Sequence, residues 1–204
     1  MTTEYENAIC DFLARKENLA MALEISDHID AVMQRLGNSF WEGVRANLQR
    51  RLEDRALHDR WQQELHKKED GTLLGTVLCP KMAKDSTNVF RYQFAEEEGR
   101  SRYHLYQGIR LPPAVPQVAE KAVADLRQSL QEEGYRKTKG WMGWKYIRDF
   151  ASVNELVLAI AEKGDAFASG TAETFWDFFD ATRAQVEKMN ASLPAFGKKS
   201  RKRE

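Results

Sequence analysis

Cysteine is nearly absent from this chain: Cys10 and Cys79 are the two it carries in 204 residues, and no CxxC spacing joins them. Neither a disulfide framework nor a zinc site is suggested, and both thiols are expected to be buried and free. Long apolar runs are missing too, since none approaches the roughly 20 residues that span a bilayer. The acidic start Met1-Thr2-Thr3-Glu4 lacks the basic flank of a secretory signal, so a cytoplasmic protein with no membrane partner is expected. Net charge is absent, with 31 basic against 31 acidic residues. Chemistry-bearing motifs are absent as well: no glycine-rich phosphate loop, GxGxxG, HExxH or GxSxG occurs. His58 and His66 stand eight apart, too far for the one-turn spacing that brings two ligands to one metal. Neither a cofactor nor a metal is expected.

What the chain does have is enough apolar sequence for a core, at 42% hydrophobic and 30% charged residues. Wholesale disorder is excluded by that balance. Its charge is unevenly placed. The polybasic end Lys198, Lys199, Arg201, Lys202 and Arg203 leaves 26 basic against 30 acidic residues before it, a net of about −4. Such a tail suits a polyanion or a solubilising terminus.

Hydrophobic periodicity supplies the architecture. Helical spacing runs from Glu4 to about Leu36, as one long helix or two with a step near Ser26-Asp27. Gly37-Asn38 reads as its end, and Ser39-Phe40-Trp41-Glu42 as a capping box that starts a second helix reaching about His66. Thr72 to Cys79 reads as a strand closed by Pro80. In Val89 to Ala95 the large residues alternate, with Phe90, Tyr92 and Phe94 on one side and Arg91 and Gln93 on the other. After the turn Glu96-Glu97-Glu98-Gly99 the alternation resumes, with Tyr103, Leu105 and Ile109 on the apolar side. Arg102, His104, Tyr106 and Arg110 fall opposite.

Three prolines in Leu111 to Pro116 end the sheet run and deliver a helix over Gln117 to Glu133. Tyr135 to Phe150 reads as a fourth strand, with Met142, Trp144 and Tyr146 inward and Trp141 and Lys145 outward. Helices over Val153 to Lys163 and Thr171 to Met189 close the chain, separated by a loop from Gly164 to Ser169-Gly170. The expected fold is α+β: a three- to four-stranded, mainly antiparallel sheet packed with long helices at both ends of the chain. Its divisions are a helical extension over 1–37, an α+β domain over 38–192 and a basic, disordered tail over 193–204.

The candidate site follows from the strand phases. Arg91, Arg102, His104, Tyr106, Arg110, Trp141 and Lys145 are expected on one sheet face, joining guanidinium groups that pair with phosphates to rings on which bases stack. Alternatively, helices cover that face and its polar groups satisfy one another. Ser39-Phe40-Trp41, Tyr106-Gln107-Gly108-Ile109 and Trp141-Met142-Gly143-Trp144-Lys145-Tyr146 together resemble the C-terminal region of prokaryotic PD-(D/E)XK-nuclease-like proteins of phage-defence and mobile-element systems, over about residues 20 to 190. That nuclease core needs an aspartate on one strand and (D/E)xK on the next to hold Mg²⁺. Glu120-Lys121 and Glu162-Lys163 lack the intervening residue and fall in predicted helices, so no catalytic residue carries over. The resemblance implies an accessory half without its cutting half. A non-enzymatic module binding a protein partner or a nucleic acid is expected, with an inhibitor of a defence complex and a metal-dependent nuclease as alternatives.

Overall fold

The computed structural model describes residues 4–81 and 86–193. The basic tail lies outside the described residues. The chain divides into two compact units, Met1–Leu36 and Gly37–Glu204. The described residues of the first form α1 (Glu4–Leu13) and the leading part of α2 (Lys16–Asp54), joined by the turn at Ala14-Arg15, and none of them is buried. Its Cys10 is exposed, against the expectation of a buried thiol, while Cys79 is buried.

The second unit is α+β. Five strands, β1 (Trp61–Lys67), β2 (Leu73–Pro80), β3 (Arg91–Glu98), β4 (Tyr103–Arg110) and β5 (Trp141–Phe150), form one sheet in the order β1-β2-β3-β4-β5. Every neighbouring pair is antiparallel. Helices α3 (Gln117–Glu132) and α4 (Val153–Ala191) complete the unit. No described helix is long and apolar enough to cross a membrane.

Three boundaries differ from the sequence reading, each for a local reason. Gly37-Asn38 does not end a helix, because α2 runs through it. The Asn38 side chain instead accepts the Leu73 N–H at 2.8 Å, which pins the start of β2. Second, α2 stops at Asp54 rather than near His66, and Ala56 takes a left-handed φ of 52° just beyond. Leu57, Trp61 and Leu65 stand one helical turn apart, but Trp61, Gln63 and Leu65 also alternate, and cross-strand pairing with β2 selects the alternation, adding the fifth strand. Third, the break between the last two helices is confined to Gly164, at φ 48° and ψ −127°, with Ser169-Gly170-Thr171 inside α4. Only glycine adopts that backbone without strain.

Cross-strand partners point to the same side of a sheet, so the register assigns the faces. Thr76↔Phe94, Leu78↔Tyr92 and Tyr92↔Ile109 place these residues on one side. The α4 stripe packs there: the Phe175 ring stacks on Phe94 at 4.3 Å, and Thr182 Oγ1 shares a 2.9 Å hydrogen bond with the Tyr92 hydroxyl. Helix α2 covers the same side, with Trp41 stacked on Phe175 and donating its indole N–H to Glu96. Helix α3 meets it through Leu130, whose side chain fills the space beside Gly143. Phe90, Tyr92, Phe94, Leu105, Phe175 and Phe179 are fully buried. Burying such apolar side chains contributes on the order of 1.5–3 kcal/mol each.

Candidate functional site: the sheet face opposite the helical layer

The packing of α2, α3 and α4 just described lies on one side of the sheet. On the other, Arg91↔Arg110, Gln93↔Gly108, Ala95↔Tyr106 and Glu97↔His104 bring the alternate residues of β3 and β4 together. Strand β5 joins through two bulges. Leu105↔Arg148 is followed by Tyr106↔Tyr146, and Ile109↔Gly143 by Arg110↔Trp141, so Ile147 and Met142 are each an extra residue on β5. Each extra residue shifts the alternation by one and turns the following side chains over.

This shift corrects the expected β5 face. Trp141 projects outward beside Arg110, but so do Trp144 and Tyr146, which period-two counting had placed in the core. Lys145 lies opposite Gln107 on the helix-covered side, its ammonium 4.2 Å from the centre of the Tyr135 ring, which stacks in turn on Phe178 of α4. Tyr103 is opposite Phe150 and only half-buried. Arg102 precedes β4 in the hairpin turn, where its carbonyl accepts the Gly99 N–H at 2.8 Å. Of the residues read from the sequence, Arg91, His104, Tyr106, Arg110 and Trp141 therefore share this face; Tyr106 is itself buried, as are Gln93 and Ala95 beside it, whereas the other four are half-buried. Lys145 does not share it, Arg102 stands outside the strands, and Lys198, Lys199, Arg201, Lys202 and Arg203 fall outside the described residues.

The side chains on this face are tightly cross-bonded. Arg110 donates from Nε to Gln93 Oε1 at 3.0 Å, and Gln93 Nε2 donates to the Tyr106 hydroxyl at 2.9 Å. The Arg110 guanidinium then lies 4.3 Å over the Trp141 ring, which meets Tyr106 edge-on. Gly108 makes this possible, because a Cβ there would stand 2.8 Å from the Trp141 ring. Arg136, bridged to Trp144 at the free side of β5, holds its guanidinium 5.7 Å above the Trp144 ring. Nearer the hairpin end, His104 stacks on Tyr146 at 3.8 Å and shares a 2.7 Å hydrogen bond with Asp149. Tyr146 donates to Glu97 at 2.7 Å, a bond that pushes its phenol up to about 12.

Charge on the face is graded. Carboxylates Glu97 and Asp149 occupy the end near the β3–β4 turn, whereas Arg91, Arg110 and Arg136 gather toward the other end of those strands. His66, on β1, is drawn below its ordinary range by burial and by the Arg110 charge. Glu64 is held by the Ser86 hydroxyl at 2.7 Å and by the Cys79 thiol, which burial pushes up to about 12. One donor on this face is left over: the Trp144 indole N–H is buried with no hydrogen-bond partner among the described residues. Among the described residues no group of three or more histidine, cysteine or acidic side chains could hold a metal ion. No protein-family model, curated protein or solved structure matches this chain.

Proposed function

We propose that the chain is a non-enzymatic binding module that takes a single-stranded nucleic acid on the face of its sheet opposite the helical layer. The observation that carries this reading is the row of half-buried rings Trp141, Trp144 and Tyr146 with Arg110 and Arg136 lying over two of them. Rings of this kind receive unstacked bases, each worth roughly 1–3 kcal/mol, while guanidinium groups hold phosphates in bidentate pairs. The strand would run with its phosphates toward Arg91, Arg110 and Arg136 and away from Glu97 and Asp149. The polybasic sequence Lys198 to Arg203 adds attraction to the same polyanion. A cytoplasmic setting, and a phage-defence or mobile-element context, belong to this reading through the nuclease-like resemblance.

Labelled single-stranded RNA and DNA oligonucleotides, titrated at two salt concentrations and followed by fluorescence anisotropy, test it. Binding should weaken with salt. Arg110→Glu should weaken it at least about tenfold, and Trp144→Ala by the roughly 1–3 kcal/mol of one stacked base. Unchanged affinity in both variants, or no binding by the parent protein, would overturn the nucleic-acid reading. A protein partner is the second reading, favoured by the mixed charge of Glu64, Glu97 and Asp149 on the same face, and it covers the inhibitor of a defence complex. A stoichiometric protein lost in the same variants, with oligonucleotides unbound, would establish it instead. Cleavage of either nucleic acid dependent on Mg²⁺ would point to the metal-dependent nuclease.

A further inference from the structure

A second concave site lies in the helical layer, away from that sheet face. Helices α2 and α4 approach closely where Gly43 meets Ala168: a Cβ on Gly43 would stand 3.0 Å from that of Ala168. Small residues permit this approach, and beyond it the larger side chains of both helices hold the backbones apart. Between them opens a cavity of about 380 Å³, lined by Asn47, Arg50, Arg51, Asp54 and Arg55 from the end of α2, with Ser169 and Trp176 of α4 opposite. Its volume falls within the ordinary range of small-molecule sites.

The charge in this cavity is not balanced. Arg51 reaches across to Glu173 of α4 at 3.8 Å, whereas Arg50 and Arg55 make no ion pair among the described residues. The Asn47 amide donates to the Gly43 carbonyl at 2.9 Å. Trp176 is buried and forms a fixed wall. Two exposed guanidiniums that line one cavity and make no ion pair among the described residues are suited to one doubly charged anion, which accepts bidentate hydrogen bonds from such groups.

We infer that this cavity is a binding site for a small phosphate monoester carrying hydroxyl groups, of the sugar-phosphate or nucleoside-monophosphate class. The phosphate lies against Arg50 and Arg55. The Asp54 carboxylate accepts hydrogen bonds from hydroxyls, and Ser169 lines the α4 side of the same cavity, so the organic part lies between these two. Inorganic phosphate lacks that organic part and is the poorer ligand.

Isothermal titration calorimetry of the full chain at low salt, with inorganic phosphate, ribose 5-phosphate and adenosine monophosphate, tests the assignment. Both monoesters should bind at one site per chain, at least about fivefold more tightly than inorganic phosphate. Arg50→Glu with Arg55→Glu, both exposed positions, should weaken the monoesters at least about tenfold. Asp54→Asn should erase the preference over inorganic phosphate. Arg110→Glu, on the opposite sheet face, should leave these affinities unchanged, so the result is independent of the nucleic-acid reading. No heat with any of the three ligands, affinity unaltered in the double variant, or weakening by Arg110→Glu alone would overturn the site.

Discussion

Glu96 illustrates how one side chain couples the sheet to the helices. It stands opposite Leu105 on the packed side and accepts hydrogen bonds from the Trp41 indole and the Tyr103 hydroxyl. Burial nevertheless dominates, and its carboxyl is raised above the ordinary range. A raised acid holds its proton more tightly folded than unfolded, so its contribution to stability is complete below the unfolded value and is lost as pH climbs through the raised one. Glu96→Gln keeps an acceptor for Trp41 and cannot ionise. Urea melts should therefore show this variant more stable than the parent at pH 7, with the difference closing below about pH 4, the ordinary carboxylate range. A difference that is flat with pH would mean the carboxylate is solvated. At this scale the sequence was legible wherever alternation was unbroken: Phe90, Tyr92, Phe94 and Leu105 are buried as their spacing predicts. Trp144 and Lys145 were not legible, because nothing in their own neighbourhood announces the extra residue that a bulge inserts upstream.

At the level of elements, the sequence carried competing signals and tertiary contacts chose between them. Gly37-Asn38 and the Ser39 to Glu42 box form a sound stop and start on local grounds, yet α2 continues through both. What the local reading could not include is the bond from Leu73 N–H to the Asn38 side chain, which uses that asparagine for the sheet. A glycine inside a helix costs about 0.8–1 kcal/mol relative to alanine. Nothing lies within 4 Å of a Cβ built at Gly37. Gly37→Ala should accordingly stabilise the protein by about 0.5–1 kcal/mol in a denaturant melt, without changing its slope. A loss of stability would mean that the chain does need a glycine there. The missed strand β1 follows the same logic, since only its pairing with β2 separates the strand from the helix reading.

For the whole molecule, what counts is where burial begins. No residue of α1 is buried, and the first buried residue of α2 is Phe40. Of the large apolar side chains that stand exposed, Tyr5, Ile9, Phe12, Leu19, Met21, Leu23, Ile25, Ile29 and Val32 all precede Leu36. The periodicity of this segment was legible in the sequence, but periodicity reports that a stripe exists and not whether the same chain covers it. None of the buried side chains among the described residues belongs to the first 36. Removing these residues would create a new helix start, and there Ser39 and Glu42 are spaced to act as the capping box that the intact α2 leaves unused. A chain beginning at Gly37 should therefore melt cooperatively within about 4 °C of the parent, the shift expected from roughly 1 kcal/mol in a domain of this size. Its binding of an apolar dye should fall, because the exposed stripe is gone. A collapsed melt would show that the leading helices do supply stability to the sheet domain, and Ser39→Ala in the shortened chain separates the two causes: if the box forms, that change costs about 1 kcal/mol there and nearly nothing in the full chain.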